Sequence, residues 1–168
     1  PFLDRFEAAA DNGFKAVEFL FPYEHRPDEI AERIQRHGLE IALFNMPPGN
    51  WAAGERGMAA IPGREAEFAR NAGIALAYAR ALGVSRVHAM SGITRGLDAV
   101  ECRNTFIANM RVACDMFAAD GITHSGRGAE HAGRARLFRG PPGGGGRAVR
   151  GRGAVSYTHL RAHETLRY

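Results

Sequence analysis

The chain has 168 residues, with 22 basic and 18 acidic side chains and a formal charge of +4. That excess is local: residues 1–124 carry −3, while residues 125–168 carry +7 from nine arginines, two acids and no lysine. The basic stretch lacks regular RGG repeats and interleaved aromatics, and no apolar run approaches the ~18 residues of a membrane span, so no nucleic-acid or membrane partner is expected.

Phe2, Leu3, Phe6, Ala9 and Ala10 recur at helical spacing, with Gly13 as a C-terminal stop. Residues 16–21 form a compact apolar run broken only by Glu18, as expected of a strand buried on both faces. A second helix opens at Pro27 with Asp28 and Glu29 in its first turn, carries Ile30 and Ile34 on one face, and ends at Gly38. Residues 39–44 read as the next strand. Residues 65–82 are Ala-rich and amphipathic, with Phe68, Ala72, Ala75, Ala79 and Leu82 towards the core and Gly83 closing the helix. Residues 86–90 form a further strand. A last helix over 100–117 places Ile107, Met110, Cys114 and Phe117 on one stripe, and Gly121 turns the chain into Ile122. Cys102 and Cys114 lie too far apart along this helix, roughly 18 Å, to form a disulfide, and are expected to be reduced. Alternation of strands and helices implies right-handed parallel βαβ units, and periodicity alone does not separate a barrel from an open doubly wound sheet.

Residues 45–68 (NMPPGNWAAGERGMAAIPGREAEF) fit neither a strand nor a helix. Three glycines and three prolines punctuate this long loop, yet it carries Trp51, Met58 and Ile61, which a disordered linker would not. The segment resembles the loop after the third strand of hydroxypyruvate isomerases, of the xylose-isomerase-like TIM-barrel superfamily. The resemblance extends to FLDRF at the start, AVEFLFPY at 16–23 and AYARALG at 77–83, covering residues 1 to about 123. It implies a partial (β/α)8 TIM barrel, about strands two to five with their helices. Residues 1–124 are then an incomplete barrel domain, the N-terminal part of a longer cytoplasmic enzyme of about 250 residues.

In such a barrel the strand ends and following loops face the active site. This criterion selects Tyr23, Asn45, the loop from Trp51 to Arg56, and residues 88–91. The resemblance implies interconversion of hydroxypyruvate and tartronate semialdehyde by metal-assisted proton transfer, with the small hydroxy-keto acid as partner. The family's proton-transferring glutamates and ligands lie on strands five to eight, so no catalytic residue and no metal ligand is assigned in this chain. The chain itself is expected to hold no cofactor and to be inactive; a divalent Mg or Mn ion belongs to the parent. Five substrate-binding candidates remain. Glu18 can point into the barrel or pair with a buried cation. Asn45 can donate to substrate or shape a turn. Trp51 can lid the site or anchor the loop. Arg56 can grip a carboxylate bidentately or pair with Glu55. His88 can act as an acid or a ligand, or be a hydrogen-bonded core residue. His25 and His37 are expected on exposed positions. Other isomerases or epimerases of the superfamily stay open as alternatives. Residues 49–54 have the gap of a phosphate loop, but Glu55 and Arg56 follow where Lys and Ser/Thr are needed.

Residues 125–168 are read as a non-native, disordered Arg/Gly-rich tail, including His131, His159 and His163. Their composition is that of GC-rich DNA translated out of frame, and residues 155–165 resemble translated sequencing-adapter DNA. Shifting residues 127–139 by one base permits EALNTRDVPGYF, which resembles the family's fifth-strand segment. A catalytic glutamate is therefore expected out of frame beneath Arg127 and Gly128.

Overall fold

The structure, a computed structural model, describes residues 1–127. Four helices alternate with four strands: α1 (Asp4–Asp11), β1 (Ala16–Phe19), α2 (Pro27–Arg36), β2 (Glu40–Asn45), α3 (Glu65–Leu82), β3 (Arg86–Met90), α4 (Ala99–Ala118) and β4 (Thr123–Arg127). The strands form one parallel sheet in the order β1-β2-β3-β4, so every crossover joins neighbours through a helix. The expected parallel βαβ architecture is therefore present, and β4 runs three residues past the compositional boundary at His124. The reading of the tail beyond Arg127 falls outside the described residues.

Local chemistry accounts for the helix ends. Glu65 and Glu67 lie in the first turn of α3 and Arg80 in its last, each favourable to the helix dipole. Gly83 takes a left-handed φ of 64° and returns its N–H to the final turn, so the helix stops where the sequence says it should. At the start of α2, Pro27 occupies the first turn, and Glu29 accepts from the Arg26 N–H at 3.2 Å.

The core lies between the sheet and the helices. Phe44, Phe68, Val87 and Phe117 are fully or almost fully buried there, with Ala72, Ala75 and Ala79 letting α3 approach closely. Each large side chain so buried stabilises the fold by about 1.5–3 kcal/mol. A second cluster, Phe6, Ile30 and Leu39, seats α1 and α2, with the Phe2 ring edge-on to both Phe6 and Phe19.

The strands are not covered on both faces as the apolar runs suggested. In β3, Val87 and Ala89 are buried against the helices, while Arg86 is exposed and His88 and Met90 are half-buried on the opposite face. Among the described residues the helices cover one side of the sheet, which is why only alternate positions are buried. A bulge also shifts the phase: Val17 pairs with Ile41 but Glu18 with Leu43, so Ala42 is an extra residue in β2. Ile41 and Phe44 thereby both reach the helix side, and the Arg86 side chain donates to the Ala42 carbonyl at 3.1 Å.

Two smaller expectations fail. His25 and His37 are half-buried, and His25 stacks on Phe2 with centroids 5.0 Å apart. The buried stripe of α4 is centred on Cys102, Thr105, Asn109, Met110, Ala113 and Phe117, leaving Ile107 and Cys114 at its margin. The stripe includes Asn109, whose amide donates to the Ala59 carbonyl at 3.0 Å and so satisfies a polar side chain in a buried position.

Candidate active site

The C-terminal ends of the strands carry the residues selected from sequence. Asn45 and His88 are register partners on β2 and β3, so the pairing sets two polar side chains beside each other on the face away from the helices. Asn45 is 8 % exposed, with its amide 3.7 Å from the Met90 sulfur. Its carbonyl accepts from the Tyr23 hydroxyl at 2.7 Å. Burial, then the neighbouring Tyr78, pushes the Tyr23 phenol well above its ordinary pKa, so it stays a neutral donor. Glu18 is exposed on the same face as Asn45, because its neighbours Val17 and Phe19 turn into the core. It precedes the strand end, in register with Leu43 rather than with Asn45.

The long loop is an ordered cap clamped to the end of β3. Gly57 bridges to Ser91, Met58 and Ala59 both donate to the Met90 carbonyl at 3.1 Å, and Ala60 donates to Ser91 at 2.8 Å. The clamp requires glycine at position 57: φ is 97°, and a Cβ there would lie 2.1 Å from the Met90 oxygen.

The Glu55–Arg56 pair, one of the two readings left open for Arg56, is not formed. The Glu55 carboxylate instead takes Arg64 at 2.6 and 3.1 Å and the Asn50 N–H at 2.6 Å, and Arg64 also reaches Glu67 at 2.7 Å. Arg64 chiefly, and the Asn50 N–H next, hold the Glu55 carboxyl below its usual range. Sequence reasoning passed over Arg64; its signal was the Glu three residues on, at the start of a helix. Arg56 turns the other way. Its guanidinium carbon lies 3.8 Å from the Trp51 ring centroid, and one nitrogen donates to the Trp51 and Glu55 carbonyls. Trp51, 40 % exposed, rests edge-on against Phe21 at 5.1 Å. The ring thus anchors the loop through Phe21 and also carries Arg56. Among the described residues no carboxylate pairs with Arg56, so its charge is directed to solvent at the rim.

The Ser91 hydroxyl is buried without a hydrogen-bond partner among the described residues. Among them, too, no three His, Cys, Asp or Glu side chains converge to hold a metal ion, so the divalent ion implied for the parent finds no complete ligand set there. A pocket of about 350 Å³ lined by Leu39, Glu40, Ala42 and Arg86 opens at the other end of the sheet, where the strands begin. It is remote from the polar rim. No helix among the described residues is long and apolar enough to cross a membrane.

A parallel sheet backed by helices, with its polar residues gathered at the strand ends and in a clamped loop, defines part of a (β/α)-barrel of the enzyme-bearing kind. The profile of the xylose isomerase-like TIM barrel family matches residues 6–124, and the chain belongs to that family. It is 54 % identical over 123 residues to the 2-oxo-tetronate isomerase of Cupriavidus necator, covering 73 % of this chain and 47 % of that protein. It is 43 % identical over 122 residues to the hydroxypyruvate isomerase of Escherichia coli, covering 72 % and 47 %. A crystal structure of an AP endonuclease, family 2, from Brucella melitensis superposes with a TM-score of 0.74 at 59 % identity, covering 75 % of this chain and 49 % of that one. The chain thus spans about half the length of the curated relatives it matches.

Proposed function

We propose that the chain is the N-terminal part of an isomerase of small 2-oxo acids, of the hydroxypyruvate and 2-oxo-tetronate type. The observation that carries this reading is Arg56, held over Trp51 with no carboxylate among the described residues neutralising it. A guanidinium fixed at the rim, with donors turned outward, fits the carboxylate that distinguishes such acids from neutral sugars. Both named isomerase relatives act, by their names, on acids of this kind. Asn45 and His88 offer polar groups to the substrate's oxygen-bearing carbons, and Trp51 with the clamped loop shields that end from water. The reaction class is proton transfer between adjacent carbons. In this reading the carboxylates that move the proton lie outside the described residues, and Glu18 plays no part in moving it.

The test uses the gene with its frame restored near Thr123, yielding a longer product. It should isomerise hydroxypyruvate or 2-oxo-tetronate far faster than ketohexoses. Arg56→Met should raise KM for the acid about 10- to 100-fold, the loss of one charge-assisted pair. Preference for a ketohexose, or an unchanged KM in Arg56→Met, would refute the reading.

A further inference from the structure

Glu55 and Arg56 adjoin in the chain and carry opposite charges, yet each turns to other partners. The Glu55 carboxylate occupies a seat with three walls. Arg64 gives it Nη1 and Nη2 at 2.6 and 3.1 Å, and the Asn50 N–H donates to it at 2.6 Å. Gly49 is the third wall: φ there is 85°, and a Cβ would stand 2.0 Å from the Glu55 Oε2, so only glycine leaves room for the carboxylate. Arg64 is itself fixed, because its Nε and Nη2 reach Glu67 at 2.9 and 2.7 Å. Two carboxylates thus fill both donor edges of one guanidinium. On the other side of the loop Arg56 lies over the Trp51 ring, and among the described residues no carboxylate pairs with it.

We propose that Arg64 is a positioning residue for the rim cation: by holding Glu55 in its seat it keeps that carboxylate off Arg56, which stays open to the carboxylate of a small acid. The proposal rests on Arg56 receiving the substrate's carboxylate. Without Arg64, only the Asn50 N–H holds Glu55, and the next cation in the chain is Arg56. Gly54 and Gly57 flank the pair, both at positive φ, so the backbone on either side can swing to bring the two side chains together. An arriving acid would then have to displace a carboxylate of the protein's own. Its apparent affinity falls in proportion to the fraction of Arg56 so occupied.

Phenylglyoxal, which modifies accessible guanidinium groups, tests this in the full chain, with the rate at Arg56 followed by peptide mass. Arg64→Met should slow modification of Arg56 about fivefold, the ratio that an exposed ion pair sets at its upper limit. Adding Glu55→Gln to Arg64→Met should restore the rate. Arg64→Lys should leave it near that of the unaltered chain, since the charge that holds Glu55 is kept. Loosening of the loop alone predicts the opposite sign: Arg56 would be modified faster in Arg64→Met, and faster still in the double variant. Faster or unchanged modification in Arg64→Met, or no recovery in the double variant, would overturn the proposal. Should Arg64→Met fail to fold, Arg64→Gln keeps a neutral donor for Glu55 and should slow modification in the same direction. The role of Arg56 as receptor is read separately, because D-glycerate should slow its modification in the unaltered chain. If glycerate gives no protection, that role fails, while the rates without ligand still decide what Arg64 does.

Discussion

Replacing Gly57 by alanine separates two costs that usually travel together. Position 57 has φ of 97°, where an alanine costs about 1–2 kcal/mol of backbone strain. The new Cβ would also stand 2.1 Å from the Met90 oxygen and 2.4 Å from its carbonyl carbon. Those atoms are main chain and cannot rotate away. Moving the loop back by the ångström or so required breaks the bonds from Met58 and Ala59 to that oxygen, at about 1 kcal/mol each. The expected loss is therefore about 3–4 kcal/mol. Gly54 is the internal control: its φ is 92°, yet nothing lies within 4 Å of a Cβ there, so Gly54→Ala should cost only the strain. Urea denaturation of both variants should show a gap of about 2 kcal/mol. Faster amide exchange at Met58 and Ala59 should appear in Gly57→Ala only. Equal losses in the two variants would refute the close-approach argument.

Asn109→Ala should destabilise by about 1–3 kcal/mol in urea, because the buried Ala59 carbonyl loses its donor and α4 loses its tie to the loop. Arg64→Met should leave Glu55 tied only to the Asn50 N–H, and faster proteolysis between residues 50 and 56, with the helices intact, would register the loosened loop. The raised pKa of Tyr23 predicts alkaline sensitivity: its contribution is whole below the ordinary value of 10.0 and is lost as pH rises above it, since only the unfolded chain then releases the proton. Urea midpoints measured on either side of that pH should fall for the unaltered chain, by up to about 1.4 kcal/mol per pH unit, and fall less for Tyr23→Phe.

Element order was legible in the sequence because its signals are local. Gly83 ends α3 through its own left-handed φ, Pro27 and the acids after it start α2, and residues 86–90 form β3 as read. The same periodicity marked Phe44, Phe68 and Phe117 as apolar, although nothing in it says which partner each meets. The site was legible as a set of residue types but not as an arrangement. Adjacency suggested that Glu55 pairs with Arg56, whereas the turn through Gly54 and Gly57 sends Glu55 to Arg64 and Arg56 onto Trp51. Asn45 and His88 are neighbours only because β2 and β3 pair in that one register. Asn109, a polar residue the helical periodicity did not select, is buried because its amide donates to the Ala59 carbonyl fifty residues away. Periodicity and punctuation report what each segment can do with its own backbone. Side-chain direction in an irregular loop, and the register between strands, are fixed by contacts across the chain, so only the tertiary structure could decide them.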